Sequence, residues 1–201
     1  MKLGIMGGTF DPIHLGHLHV ARAALQEGGL DQVLFLPDGD PPHKSPKTPA
    51  KIRFEMVKIA LETEPEFAAS DLEIKRRGHT YTVDTLLSFK AEMPERELVY
   101  LIGSDTLFLF PTWRMPEKVA RLCSMLVVMR EGDEEKAVRA EQTRLREVYG
   151  LISRLLHARG LPISSSQVRE ALAREEDVSG LVPPGVAAYI KKQGLYQPPP
   201  S

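Results

Sequence analysis

The segment Gly4–Val20, "GIMGGTFDPIHLGHLHV", sets two adjacent glycines, an Asp-Pro turn and three histidines just after a short apolar run. The run "KLGIM" (Lys2–Met6) has the length and composition of a buried strand. Leu15, Leu18, Ala21 and Leu25 keep helical spacing, and Gly28-Gly29 supplies the stop. Strand, glycine turn and helix in that order place Gly7-Gly8 at the carboxyl end of the first strand. Glycine there permits close approach of backbone to a ligand. The helix that follows opens with unpaired N–H groups and a positive dipole end, which attract phosphate. His14 and His17 stand three apart, on one side of its first turn. A polyphosphate cradle satisfies all these features. A glycine-rich turn with solvent-facing histidines is the plainer alternative. Zinc is a third, although no carboxylate or cysteine sits at zinc-finger or zincin spacing and His19 should point away from His17. Neither GxxxxGK[ST] nor GxGxxG follows the strand, so a P-loop and a dinucleotide fingerprint are unsupported.

Outward from this segment, strand-like and helix-like stretches alternate. "QVLFL" (Gln32–Leu36) reads as a second strand and "AKIRFEMVKIALE" as an amphipathic helix with Ile52, Met56, Ile59 and Ala60 on one face. "FAASDLEI" predicts a third strand, "TVDTLLSFKAE" a helix, "ELVYLIG" (Glu97–Gly103) a fourth strand and "SMLVVM" (Ser124–Met129) a fifth. The expectation is an α/β fold, a Rossmann-like doubly wound parallel sheet of order 3-2-1-4-5 with ligands beyond the carboxyl ends of its strands. Residues 131–158 are charged and helix-prone without a clear strand. "SSSQVREALARE" and "PPGVAAYIKKQGLY" predict two further helices, and "QPPPS" a frayed end. No repeat or linker interrupts the chain. One domain, 1–201, is expected, with its core in 1–130 and a small helical part in 131–201.

The 201 residues suffice for one sizeable core, and 42% hydrophobic with 26% charged residues is ordinary for a globular domain. A formal net charge of −1 gives no reason to expect nucleic acid or a membrane surface as partner. The lone Cys123 excludes an intramolecular disulfide framework and suits a reducing cytosol. The opening "MKLGIM" lacks the apolar stretch of a secretion signal, and no apolar run approaches the roughly 20 residues of a membrane span. A cytoplasmic protein is expected, and the sequence is compatible with a homo-oligomer.

"GGTFDPIHLGH" resembles the N-terminal motif of nucleotidyltransferases with the HxGH signature. A second motif of that superfamily, ISSTxIR, has its counterpart in "ISSSQVRE" (Ile163–Glu170), where Ser166 and Val168 depart from the pattern but keep a hydroxyl and a β-branched side chain. "PPHK" (Pro41–Lys44), "YTVDTL" (Tyr81–Leu86), "IGSDTLFLFPTW" (Ile102–Trp113) and "VPPGVAAYIKKQGLY" resemble the bacterial nicotinate-nucleotide adenylyltransferases. The segment 131–161 resembles that family least. The resemblance implies adenylyl transfer from ATP to nicotinate mononucleotide, with release of pyrophosphate, in NAD biosynthesis. It implies His14, His17 and Arg169 as catalytic residues. ATP would be bound by Gly7, Gly8, Thr9, Phe10, His14, His17, Ser164, Ser165, Ser166 and Arg169. The mononucleotide would be bound by Lys44, Thr82, Thr85, Gly103, Asp105 and Trp113.

Physical chemistry agrees with that division of labour. The nucleophile is a phosphate monoester with a second pKa near 6, already largely dianionic at neutral pH, so no general base is needed. Two anions must instead be aligned and their charge stabilised. Magnesium is expected on the ATP oxygens and water, with no protein cage for a metal. Enzymes of the same fold acting on nicotinamide mononucleotide or phosphopantetheine, and a non-catalytic ATP-sensing module, are the competing readings.

Overall fold

The computed structural model describes residues 1–39, 46–76, 78–130 and 132–197. In chain order the elements are β1 (Lys2–Gly8), α1 (Leu15–Gly28), β2 (Gln32–Pro37), α2 (Ala50–Leu61), β3 (Phe67–Ala69), α3 (Leu72–Lys75), α4 (Thr82–Glu92), β4 (Glu97–Gly103), α5 (Ser104–Leu109), α6 (Pro116–Leu122), β5 (Ser124–Val128), α7 (Glu135–Tyr149), β6 (Ser153–Leu155), α8 (Ser165–Ala173) and α9 (Pro184–Gln193). A 3₁₀ turn, Phe110–Thr112, links α5 to the segment carrying Trp113.

All strands pair in parallel, in the order β3-β2-β1-β4-β5-β6. The doubly wound α/β sheet expected from the sequence is therefore present, with one strand more than the expected order 3-2-1-4-5. The extra strand, Ser153–Leu155, lies in the stretch that reads as helical and charged. It is three residues long and has no apolar run, because only one neighbour, β5, covers it. "FAASDLEI" also divides differently: only Phe67–Ala69 is extended, and Leu72–Lys75 forms a helical turn.

Two apolar layers sandwich the sheet. One joins Leu18, Ala21 and Ala24 of α1 and Met56, Val57 and Ala60 of α2 with Val168 of α8 and Val186 and Ile190 of α9. The other joins Val83, Leu86 and Phe89 of α4 with Val119 of α6 and Val138 and Leu145 of α7. The last two helices thus share a core with α1 and α2. Chain order reverses between β1 and β4, whose carboxyl ends carry Gly7-Gly8 and Gly103. A crevice opens there, as expected of such a reversal.

Candidate active site

A cavity of about 950 Å³ lies beyond these strand ends. Gly7, Gly8, Thr9 and Phe10 form its floor, with His14 and His17 above them. Glycine is required at the floor by contact. A Cβ on Gly7 would collide with the Tyr100 hydroxyl, and one on Gly8 would stand 3.2 Å from the Phe10 ring. Phe10 is buried with φ +48°, a left-handed conformation uncommon outside glycine. Its ring meets His17 edge-on, with centroids 4.9 Å apart, and props that imidazole toward the cavity.

The two histidines are stacked, with centroids 3.6 Å apart. The His14 backbone N–H donates to His17 Nδ1 at 3.2 Å, so Nδ1 is an acceptor and neutral His17 carries its proton on Nε2. His14 is 6% exposed, and burial pushes its pKa down to about 4, so at neutral pH it is an uncharged imidazole. Its Nδ1 has no hydrogen-bond partner among the described residues. The first turn of α1 is less open than the sequence implies: Leu15 N–H donates to Leu181 O at 2.8 Å and His17 N–H to His14 O at 3.0 Å. Two of the first-turn amides are therefore already engaged.

The second motif docks directly on the first. Ser165 Oγ donates to Pro12 O at 2.9 Å, and Arg169 Nη1 donates to Asp11 O at 2.6 Å and Nη2 to Ser166 Oγ at 3.1 Å. Gly16 permits this approach, since a Cβ there would lie 3.0 Å from His14 Nδ1 and 3.5 Å from Ile163 O. Ser164 caps α8, its Oγ accepting from Gln167 N at 3.2 Å while Gln167 Oε1 accepts from Ser164 N at 2.7 Å. Ser164 and Ser165 line the cavity, whereas Ser166 and Arg169 stand behind that lining.

At the opposite end Gly103 and Trp113 line the cavity. Trp113 is set edge-on to Tyr100, with centroids 5.9 Å apart. Asp105 lies outside the lining and pairs with Arg130 at 3.1 Å, both side chains half exposed. Thr82 does not line the cavity. Thr85 departs furthest from expectation: it is fully buried, donates to Glu73 Oε1 at 2.7 Å and accepts from Arg76 Nη1 at 3.1 Å. As the structure stands, its hydroxyl belongs to the scaffold beneath α4 and not to a substrate surface. Lys44 lies outside the described residues. Among the described residues no three His, Cys, Asp or Glu side chains come together as a metal site.

The cavity also gathers residues that sequence reasoning passed over. Asp38, at the end of β2, accepts from the Thr9 hydroxyl at 3.1 Å. Arg130, Thr106 and Tyr100 complete the Trp113 end. Behind the floor lies Arg53 of α2, 1% exposed, with its guanidinium on three main-chain carbonyls. The helical period of α2 offered a signal only for its apolar face, and an arginine beside that face reads as solvated.

Comparison with known proteins agrees with this arrangement. The cytidylyltransferase-like family model matches residues 5–171, a span that includes both docked motifs. A probable nicotinate-nucleotide adenylyltransferase of Dehalococcoides mccartyi is 43% identical over 199 residues, covering 98% of this chain and 97% of the relative. The chain belongs to the nicotinate-nucleotide adenylyltransferase family. A member from Neisseria meningitidis is 41% identical over 205 residues and covers 98% of each chain. The nicotinic acid mononucleotide adenylyltransferase of Plasmodium falciparum, solved in complex with NaAD, superposes with a TM-score of 0.80 over 97% of each chain at 22% identity. At that identity the likeness speaks for the fold, and it extends through the C-terminal helices.

Proposed function

We propose that this chain transfers the adenylyl group of ATP to nicotinate mononucleotide, releasing pyrophosphate and forming nicotinate adenine dinucleotide for NAD biosynthesis. The observation that carries this reading is the docking of the Ile163–Arg169 motif on the carbonyls of Asp11 and Pro12, beside one cavity that His17, Ser165, Gly103 and Trp113 all line. The triphosphate lies between the two motifs and the mononucleotide toward Gly103 and Trp113. A phosphate oxygen of the mononucleotide attacks the α-phosphorus of ATP, and the bond from that phosphorus to the α,β-bridging oxygen breaks, so that pyrophosphate leaves with the bonding electrons. The attacking group is already a dianion near neutral pH, so no side chain need remove a proton. His17 Nε2–H donates to the oxygens on which negative charge grows, and neutral His14 backs it. Arg169 holds the Asp11–Pro12 backbone and presents charge to the phosphates from behind. Magnesium carried on ATP oxygens would reduce repulsion between the two anions; the described residues offer it no carboxylate cage. A cytoplasmic setting belongs to the same reading and is supported by the single buried cysteine.

The test is pyrophosphate release from ATP with each mononucleotide. A carboxylate on the pyridine ring can accept charge-assisted bonds, worth roughly ten- to a hundredfold over an amide that aims NH₂ at donors. The expected result is a kcat/KM favouring nicotinate mononucleotide by that factor. Equal values, or a preference for the amide, would overturn the choice of acceptor.

A further inference from the structure

We propose that Arg53 is a positioning residue that sets the direction of an amide donor in the floor of the cavity. It rests on the adenylyl transfer proposed above. Arg53 is not among the residues that line the cavity; its hydrogen bonds go to main chain. Nη1 donates to Thr9 O, Nη2 to Asp38 O at 2.7 Å and Nε to Thr48 O at 3.1 Å. One buried guanidinium thus joins the loop after β1, the end of β2 and the entry to α2. Lysine, a point charge, cannot hold three carbonyls in that planar fork.

The consequence follows from peptide geometry. In a trans peptide the C=O and the N–H of the next residue point in opposite directions. The Thr9 carbonyl is turned toward Arg53, so the Phe10 N–H faces away from the guanidinium; Thr9 and Phe10 both line the cavity, and we assign that N–H to it. The positive φ of Phe10 belongs to this orientation, and the Thr9 hydroxyl bond to Asp38 Oδ2 ties the same residue to the end of β2. A full charge behind the carbonyl polarises the peptide and strengthens the donor on its far side. Arg53 so delivers positive potential to the phosphates while remaining out of contact with them, and it fixes that donor before substrate arrives.

Arg53→Lys and Arg53→Ala test this. Arg53→Lys is expected to fold, to lose at least about tenfold in kcat and to change the KM for ATP less than kcat, since a preorganised donor acts mainly in the transition state. Guanidinium at sub-denaturing concentration should restore part of the kcat of Arg53→Ala, whereas sodium at equal ionic strength should not. If Arg53→Ala fails to fold, the ¹H–¹⁵N resonance of Phe10 in Arg53→Lys supplies the second readout and should shift from its parent position. An Arg53→Lys enzyme with kcat and KM within about twofold of the parent, or an unmoved Phe10 amide, overturns the assignment. A parent protein that releases no pyrophosphate with either mononucleotide would instead sink the proposed function, leaving the Phe10 resonance to judge Arg53 alone.

Discussion

His14 couples the site to pH. Its folded pKa of about 4 lies below the ordinary 6.5 because burial disfavours the imidazolium. Above pH 6.5 both folded and unfolded chains hold it neutral, and the full stability is present. Between 6.5 and 4 the unfolded chain binds a proton that the folded chain refuses, so stability falls as pH falls. The slope approaches about 1.4 kcal/mol per pH unit and the total about 3 kcal/mol. Urea unfolding across that window should show the slope, and His14→Asn should lack it; equal slopes in both proteins would mean that other groups titrate. His17 differs, being held as an Nε2–H donor by the His14 amide. His17→Ala is expected to lower kcat by roughly 10²–10³ with little change in the KM for ATP, checked by steady-state kinetics. Both histidines were legible in the sequence because glycines and a helix start surrounded them. Arg53 and the internal bonding of Thr85 were not, because periodicity shows which face a residue occupies but not which buried partner its polar end finds.

Helix α1 and the Ile163–Arg169 motif meet at Gly16. Alanine there should favour an isolated helix by roughly 0.5–1 kcal/mol, yet its Cβ would press on His14 at 3.0 Å. Gly16→Ala is therefore expected to lose activity strongly while its melting temperature moves little. A fully active variant would show that the two motifs can separate without cost. Ser164→Ala removes the cap of α8 and should cost about 1 kcal/mol of stability. Arg169→Ala should instead raise the KM for ATP, because it frees the Asp11 carbonyl and removes charge beside the phosphates. Thermal melts and ATP kinetics on the two variants separate these effects. At this scale the long, strongly patterned elements were readable, and β6 was not. A three-residue edge strand lacks the apolar run that marks buried strands, and its existence depends on the β5 edge it joins.

Across the whole molecule the decisive feature is that residues far apart in sequence close on the loop after β1. The sheet order was predictable for its first five strands because alternating strands and helices leave few unknotted right-handed arrangements. The closure by the C-terminal segment was not, because nothing in "KKQGLY" names its partner. Tyr196 Oη donates to Asp11 Oδ1 at 2.6 Å across 185 residues, while Lys47 N–H donates to Asp11 Oδ2 at 2.7 Å. Asp11 is 4% exposed, so its carboxylate depends on these donors, and its own carbonyl receives Arg169. Burial pushes the Tyr196 phenol above its ordinary range, and it remains a donor throughout the neutral region. Tyr196→Phe removes one charge-assisted bond and leaves a buried carboxylate short of a donor, at a cost of about 1–3 kcal/mol. For a chain of this size each kcal/mol lowers the melting temperature by about 2–4 °C. The Asp11–Pro12 backbone that carries Arg169 and Ser165 should also loosen, raising the KM for ATP more than that for the mononucleotide. Differential scanning calorimetry and kinetics with each substrate varied in turn check both halves. An unchanged melting temperature would show that Asp11 finds another donor, and equal rises in the two KM values would place the C-terminal tie outside the ATP end of the site.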